Sequence, residues 1–300
     1  MNVRNQARAF LMQTAGIAGM SSLALRRQKQ SPQVRALVVA AHETPATFEA
    51  QFREQLEFAS QHFTITSLEG LAQLWDPARK RDNPSKPLLL FTFDDGRESN
   101  YFVAAPLLES FGGRGVFFVV PAFAERAATE DALSFYGTRM NPSARPTHAD
   151  AEDWKPMGPS QIADLARRGH AIGNHTFTHS RLVGLSPETL EHEIGDSARL
   201  LTYWTGKPID AFAWTFGWDA IDASAWRAIQ SYHRFCFSPC AGLIDPRYDH
   251  PSLLWRREIE VRYRAPEYHF CYSGLVDFFW RGRRDRLRKM VQSSTRGNGK

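Results

Sequence analysis

Residues 88–96 read LLLFTFDDG, and this stretch decides the fold class. A run that is apolar except for Thr92 predicts a strand buried on both faces, as in parallel α/β sheets. The strand ends abruptly at Asp94, Asp95 and Gly96. Successive side chains of an extended chain point in different directions, so the two carboxylates can have different tasks. The tripeptide alone also suits an ordinary exposed turn, so it does not establish a site.

Similar strands recur along the chain and alternate with helical segments. Strands are predicted at 36–41, 88–93, 115–121, 170–173, 211–214, 235–238 and 259–261. Helices are predicted at 48–63, 67–75, 101–111, 160–168, 186–206 and 220–231. This alternation predicts a parallel sheet wrapped by helices. No Gly-x-Gly-x-x-Gly follows the first strand, so an irregular barrel fits better than an open nucleotide-binding sheet.

The composition is that of a globular protein. The 300 residues have a mass of 34.1 kDa, with 43% apolar and 23% charged residues. This length is enough for one large domain. Three cysteines, Cys236, Cys240 and Cys271, are too few for a disulfide framework and are a weak zinc signal. We expect them to be small buried thiols or to form one incidental bridge.

The net charge of +5 is divided unevenly along the chain. Residues 1–30 carry +5 and residues 281–300 carry +7, which leaves −7 for residues 31–280. A nucleic-acid-binding body would carry positive charge on its folded surface, so nucleic acid is not the expected partner. Basic ends on an acidic body predict peripheral contact with an anionic membrane, with solvated tails as the alternative.

The N-terminal segment is too polar to cross a bilayer. Residues 9–25 are apolar but interrupted, and Arg26-Arg27 follow them, whereas a twin-arginine signal places its arginines first. A short interfacial helix fits better than a weak signal peptide. Its lipid-facing residues would be Phe10, Leu11, Ile17 and Leu23. A cytoplasmic or inner-membrane-associated location is favoured, and a periplasmic one stays open.

Two histidines follow another predicted strand. Residues 173–179 read GNHTFTH, so His175 and His179 lie four residues apart. Two imidazoles at this spacing can bind one divalent ion, although a pair of polar helix residues is the simpler interpretation. Two histidines with one carboxylate form a common hydrolytic ligand set. Because carboxyl ends of barrel strands meet at one face, we expect Asp94 and Asp95 to lie near this pair.

The two motifs, in this order and context, resemble the polysaccharide deacetylase family with the NodB homology domain (carbohydrate esterase family 4). The similarity covers about residues 36–262, and the first two motifs are the specific ones. Supporting matches are Val38-Val39-x-x-His42, Gly169-His170-x-Ile172-Gly173 and Phe212 to Gly217. The resemblance implies an α/β fold, a distorted (β/α) barrel with about seven strands. Residues 31–280 would form it, with a long excursion at 125–156.

The resemblance also implies roles for individual residues. Asp95, His175 and His179 would bind one divalent metal ion, usually Zn²⁺. Asp94 would be the general base that takes a proton from the attacking water. The backbone N–H of Phe216 would stabilise the tetrahedral oxyanion.

This sequence departs from the family pattern in two places. Trp214-Thr215-Phe216-Gly217 lacks the arginine and proline of the third motif. Arg256 is the candidate to orient the base, with a surface charge as the equal alternative. No general acid is recognisable, and His250 and His269 are weak candidates.

Aromatic residues near the third motif are candidates for saccharide contact. Trp214 and Trp218 follow a predicted strand, and sugar rings stack well on aromatic faces. Ordinary barrel packing is the alternative, favoured more for Trp214 than for Trp218. His42 is expected to be a satisfied core histidine at the edge of the pocket.

These observations predict a metal-dependent hydrolase. It would remove acetyl groups from N-acetylated or O-acetylated cell-surface or exopolysaccharide sugars, or from their lipid-linked precursors. One alternative is a catalytically weak relative that binds saccharide at a membrane. The other is a metal hydrolase of non-sugar amides on the same fold.

Overall fold

The computed structural model describes residues 19–29, 35–78, 86–142 and 154–296. The strands are β1 (Ala36–Ala41), β2 (Thr64–Ile65), β3 (Leu88–Phe93), β4 (Val116–Val119), β5 (Ala171–Asn174), β6 (Ala211–Ala213), β7 (Phe235–Ser238), β8 (Leu254–Trp255) and β9 (Arg257–Glu258). The α-helices are α1 (Met20–Lys29), α2 (Glu49–His62), α3 (Leu68–Ala72), α4 (Ala105–Ser110), α5 (Pro121–Ala124), α6 (Ala132–Phe135), α7 (Pro159–Arg167), α8 (Pro187–Leu190), α9 (Ser197–Thr205), α10 (Ala223–Tyr232), α11 (Ala265–Ser273) and α12 (Arg281–Arg296). Short π-helical segments lie at Asn100–Ala104, Tyr136–Met140 and Glu191–Asp196, and 3₁₀ segments at Ala46–Phe48, Gln73–Trp75 and Leu275–Trp280.

The strands form a nearly closed parallel barrel. Their order is β8-β7-β6-β5-β4-β3-β1-β9, and β2 adds to β3. Only Arg256 separates β8 from β9, so one extended segment pairs with β7 on one side and with β1 on the other. The barrel therefore has seven strand positions, and the predicted distorted (β/α) barrel is confirmed.

Alternation along the strands divides the apolar residues into two clusters. On β1 and β3, odd-numbered side chains such as Leu37 and Phe91 pack against the helices, where Phe52 of α2 meets the Phe91 ring at 5.9 Å. Even-numbered side chains such as Val38 and Leu90 join the other cluster. Since residues two apart share a face, the even positions that follow these strands are aimed at the barrel mouth.

The chain ends differ in part from the sequence prediction. The expected basic tail is helical through Arg281–Arg296, because Leu287 is buried and Met290 and Val291 pack beside it at helical spacing. In the N-terminal segment, α1 packs on α11 and buries Leu25. The interfacial residues expected before residue 19 lie outside the described residues, as do residues 143–153 of the excursion.

Of two further sequence predictions, one is corrected by the structure and one agrees with it. The last barrel strand was expected at residues 259–261 but occupies residues 254–258, broken at Arg256. Cys236, Cys240 and Cys271 are buried free thiols, as expected. Within the described ranges, we find no helix with the length and apolar character needed to cross a membrane.

Candidate active site

A cleft of about 230 Å³ opens at the carboxyl ends of the barrel strands. Active sites of α/β barrels lie at this end because residues from several strands converge there. The lining residues are Ala40, His42, Asp94, Asp95, Tyr136, Met140, Asn141, His175, His179, Trp214, Phe216, Pro239, Arg256 and Glu258. The sequence-predicted site residues are thus brought together, except Trp218 and the two weak candidates for the general acid, His250 and His269.

Three of these residues form a group suited to a metal ion. One ligand atom each from Asp95, His175 and His179 lies within 4.8 Å of the other two. Asp95 Oδ1 lies 3.9 Å from His175 Nε2 and 3.6 Å from His179 Nε2. These separations exceed hydrogen-bond length and suit three ligands that each lie about 2 Å from one ion.

The hydrogen bonding of one imidazole and the pKa of the other support this fit. Nδ1 of His175 lies 2.7 Å from the carbonyl oxygen of Ala213 and donates to it, which directs Nε2 towards Asp95. Burial lowers the pKa of His179 to about 4, so its ring is neutral at physiological pH. Neutral imidazole is the form that binds metals.

The backbone is strained around this group. Asp95, Thr176, His179 and Phe216 have φ between 61° and 76°, and they are the positive-φ residues other than glycine within the described ranges. This conformation is unfavourable for a β-branched or bulky residue and costs about 1–3 kcal/mol where it occurs. The four residues with this conformation are concentrated around the group suited to a metal ion. This concentration indicates that the turns at the strand ends serve the site.

A buried hydrogen-bond network holds the histidine loop. The Asn174 side-chain oxygen accepts from the Thr176 backbone N–H at 2.9 Å and from the Ser197 hydroxyl at 2.7 Å. The Glu193 carboxylate accepts from the Thr178 backbone N–H at 2.9 Å. These bonds offset the strain of the loop and fix the direction of both imidazoles.

Asp94 is paired with Arg256. The guanidinium donates to both carboxylate oxygens, at 2.6 and 3.0 Å, and only 2% of Arg256 is exposed. A surface charge is therefore the wrong interpretation of Arg256. Burial raises the pKa of Asp94, but Arg256 and, more weakly, His175 lower it, so the pKa lies below its ordinary value.

Phe118 forms the floor beneath this pair. Its ring lies 5.3 Å from the Arg256 guanidinium carbon and 6.2 Å from the His175 ring. Gly173 makes room for it, because a Cβ there would lie 2.3 Å from the Phe118 ring. The glycine before the histidine motif is therefore required by packing under the site.

His42 has a partner that sequence reasoning missed. Its Nδ1 lies 2.7 Å from Glu260 Oε1, and its side chain remains 41% exposed towards the cleft. Desolvation lowers the pKa of His42, but the Glu260 carboxylate, with smaller contributions from Asp95 and Asp94, raises it well above 6.5. The ring is therefore a cation that can donate a proton. Alternation along β1 indicates that His42 faces the cleft, since it follows Ala40 by two residues, but it does not indicate the contact with Glu260.

Arg97 was also missed. It is buried, donates to Asp95 Oδ2 at 3.3 Å, and lies over the rings of Tyr136 and Trp154, at 4.2 and 4.6 Å from their centroids. Tyr136 and Trp154 belong to the predicted excursion, which therefore packs onto the site. Burial raises the pKa of Asp95, but Arg97 together with His179, His42 and His175 lowers it below its ordinary value, so this carboxylate is ionised.

Three candidates lie elsewhere. Trp218 is absent from the cleft lining, and Arg286 lies 5.5 Å above its ring. His269 stacks on Phe58 at 4.0 Å, and neither His269 nor His250 lines the cleft. These two histidines are not placed to act as the general acid.

Comparison with known sequences identifies relatives. The sequence model of the family described as "Polysaccharide deacetylase" matches residues 81–233. A Bacillus subtilis (strain 168) protein named "Putative polysaccharide deacetylase YxkH" is 28% identical over 117 residues. This match covers 39% of the present chain and 32% of YxkH, so it spans about a third of that relative.

Solved structures share the fold. IcaB from Ammonifex degensii superimposes with a TM-score of 0.59 at 17% identity, covering 81% of this chain and 97% of IcaB. The deacetylase domain of BpsB from Bordetella bronchiseptica gives 0.59 at 17% identity, with 76% and 96% coverage. The Streptococcus pyogenes deacetylase PplD, solved with acetate, gives 0.58 at 16% identity, with 80% and 99% coverage. At these identities the likeness shows the fold.

Proposed function

This chain belongs to the polysaccharide deacetylase family, and we propose that it removes acetyl groups from an acetylated saccharide by metal-assisted hydrolysis. One observation carries the proposal. The cleft holds a buried group suited to a metal, Asp95 with His175 and His179, beside an ionised carboxylate, Asp94, that is paired with a buried arginine. A metal-assisted hydrolase needs these two elements next to each other.

The three ligands fit a divalent cation, for which we propose Zn²⁺. When bound, such an ion supplies Lewis-acid polarisation of the acetyl carbonyl and of the attacking water. The chain's own contribution is to hold two imidazoles and one carboxylate in a fixed, buried arrangement.

Asp94 is the proposed general base. Its pKa lies below its ordinary value, so the carboxylate is ready to accept a proton from the attacking water at neutral pH. The two hydrogen bonds from Arg256 fix the orientation of its oxygens. Arg256 is therefore a positioning residue for the base, in the place of the arginine that the third motif lacks.

His42 is the proposed general acid. Hydrolysis of an amide requires a proton on the departing nitrogen, and a protonated imidazole at the cleft is suited to supply it. Glu260 keeps this ring protonated. This pair fills the place of the general acid that is not recognisable from motifs.

The third motif, residues 214–217, contributes Trp214 and Phe216 to the cleft lining. Phe216 turns the chain with φ 61°, and its ring lies 4.7 Å from that of His179. We assign its backbone N–H as the donor to the developing oxyanion. Trp214 offers an apolar surface to the acetyl group or sugar.

The complete set of acid, base and ligands favours an enzyme over a saccharide-binding relative. A non-sugar amidase on the same fold is the competing activity, and substrate comparison separates the two. Zn²⁺-loaded protein is incubated with N-acetylglucosamine oligomers, O-acetylated xylo-oligosaccharides and an N-acetylated peptide, and released acetate is measured.

We expect acetate from at least one saccharide, and its loss in His175→Ala but not in His250→Ala, an exposed histidine outside the cleft. Acetate from the peptide alone would contradict the saccharide assignment. Saccharide binding by calorimetry without acetate release would identify a binding protein.

A further inference from the structure

Two adjacent phenylalanines project from the segment Leu275–Trp280. Phe278 is 69% exposed and Phe279 57% exposed, and their rings contact each other edge to face at 5.9 Å. Isolated exposed apolar residues are common, but neighbouring exposed aromatic rings mark an interaction surface. No contact within the described residues covers this pair.

Helix α1 ends beside the phenylalanine segment. The Gln28 side-chain amide donates to the backbone carbonyl of Ser273, which places the end of α1 beside the turn that begins the phenylalanine segment. Met20 and Leu23 are exposed on α1. Among the described residues, four of the nine exposed large apolar side chains lie on these two segments, so the apolar exposure is concentrated here.

Exposed basic residues lie on α1 and on α12, which directly follows the phenylalanine segment. Arg26 and Arg27 are exposed on α1, and Arg281, Arg286 and Lys289 are exposed on α12. Residues 275–296 contain seven basic and two acidic residues, whereas residues 31–280 carry −7. We call the following set the basic aromatic surface: Leu23, Arg26, Arg27, Phe278, Phe279, Arg281, Arg286 and Lys289.

We infer that the basic aromatic surface attaches the protein peripherally to an anionic lipid bilayer. Aromatic side chains enter the interfacial region of a bilayer, and basic side chains bind anionic headgroups. The combination of an apolar and an electrostatic contact is what stable attachment requires. Residues 31–280 carry net negative charge and are repelled by an anionic bilayer. The molecule is therefore oriented with its basic elements towards the lipid. This inference is independent of the proposed function.

The test is cosedimentation of the full chain with vesicles. Phosphatidylcholine vesicles are compared with vesicles that contain phosphatidylglycerol, at low and high salt. We expect binding to the anionic vesicles only, with partial release at high salt because the electrostatic contribution is screened. The variant Phe278→Ser/Phe279→Ser should reduce the partition coefficient about tenfold or more, and Arg281→Gln/Arg286→Gln/Lys289→Gln should do the same.

Matched controls separate this surface from general effects. Tyr203→Ser/Tyr248→Ser removes two equally exposed aromatic residues elsewhere and should leave binding unchanged. Arg53→Gln/Arg167→Gln/Arg234→Gln removes three exposed basic residues elsewhere and should also leave it unchanged. Equal loss in test and control variants would overturn the inference. So would wild-type binding by the phenylalanine variant, since attachment would then reside elsewhere in the chain.

A labelled cysteine reports the contact directly. The three native cysteines are buried, so bimane attached to Phe279→Cys probes this position selectively. Its emission should shift to the blue with anionic vesicles, and that of Tyr248→Cys should not. A concentration-dependent shift without vesicles, together with a doubled mass in light scattering, would instead identify a second copy of the chain as the occupant.

Discussion

Replacement of Arg256 by glutamine tests how the fold keeps Asp94 ionised. The change removes the positive charge and one of the two hydrogen bonds but keeps a polar side chain of similar shape. In the wild-type protein burial raises the pKa of Asp94, but Arg256, with His175 and His42, holds it below its ordinary value. Arg256→Gln removes the largest of these opposing contributions, so the pKa of Asp94 should rise above that value.

The size of this shift follows from the geometry of the pair. The nitrogen–oxygen distances of 2.6 and 3.0 Å correspond to charge centres about 4 Å apart. At an effective dielectric constant of about 20, such a pair contributes about 4 kcal/mol. Since one pKa unit corresponds to about 1.4 kcal/mol, the pKa of Asp94 should rise by about 3 units. A metal ion bound by Asp95, His175 and His179 would lower the pKa of Asp94 in both proteins, so its contribution cancels in the difference between them.

The assay is the pH dependence of kcat/KM for acetate release. A base that must be ionised sets the acid limb, so this limb should move about 2–3 pH units upward in Arg256→Gln. Arg256→Lys keeps the charge and should move it less. Arg257→Gln is the matched control, because Arg257 is equally buried but pairs with Asp277 outside the cleft. An unmoved acid limb in Arg256→Gln, or an equal shift in Arg257→Gln, would refute the reasoning.

Further predictions concern the other groups of the cleft. His179→Ala should abolish stoichiometric Zn²⁺ binding, measured by metal analysis, whereas His250→Ala, outside the cleft, should retain it; full occupancy in the first variant would show that the ligand assignment is wrong. Glu260→Gln removes the charge that raises the pKa of His42, so the basic limb of kcat/KM should move to lower pH; a limb that stays in place would exclude His42 as the acid. Arg97→Gln leaves the buried metal-site carboxylate without its partner and should lower the free energy of unfolding of metal-free protein by about 3–5 kcal/mol, in denaturant titrations. Added Zn²⁺ should restore part of this stability, and an equal loss with and without metal would contradict the explanation.

Residues close together in sequence carried the part of the site that could be predicted. Asp94 and Asp95 end an apolar strand, and His175 and His179 share one loop, so local pattern and spacing were sufficient to group them. The pairing of His42 with Glu260 joins residues 218 positions apart and exists only because the barrel closes through β9 and β1. No local signal indicates such a contact.

Other differences arise where a regular element ends. Trp218 was expected near Trp214 at one strand end, but β6 ends at Ala213 and Phe216 turns the chain. The Trp218 ring is therefore directed to Arg286 of α12. Arg256 interrupts the last barrel strand, so its inward direction depends on the pairing of both neighbouring pieces and not on its own sequence context.

The most direct test of the account separates metal binding from catalysis in one experiment. Metal-free wild-type protein and Asp94→Asn are titrated with Zn²⁺ by calorimetry, and acetate release is measured on the same samples. Asp210→Asn, an exposed aspartate at the opposite end of the barrel, is the control. We predict one equivalent of Zn²⁺ bound by all three proteins, with turnover reduced about 10²–10⁴-fold only in Asp94→Asn. Loss of Zn²⁺ binding in Asp94→Asn, or turnover equal to wild type, would contradict the assignment of Asp94 as a base beside the metal ligands.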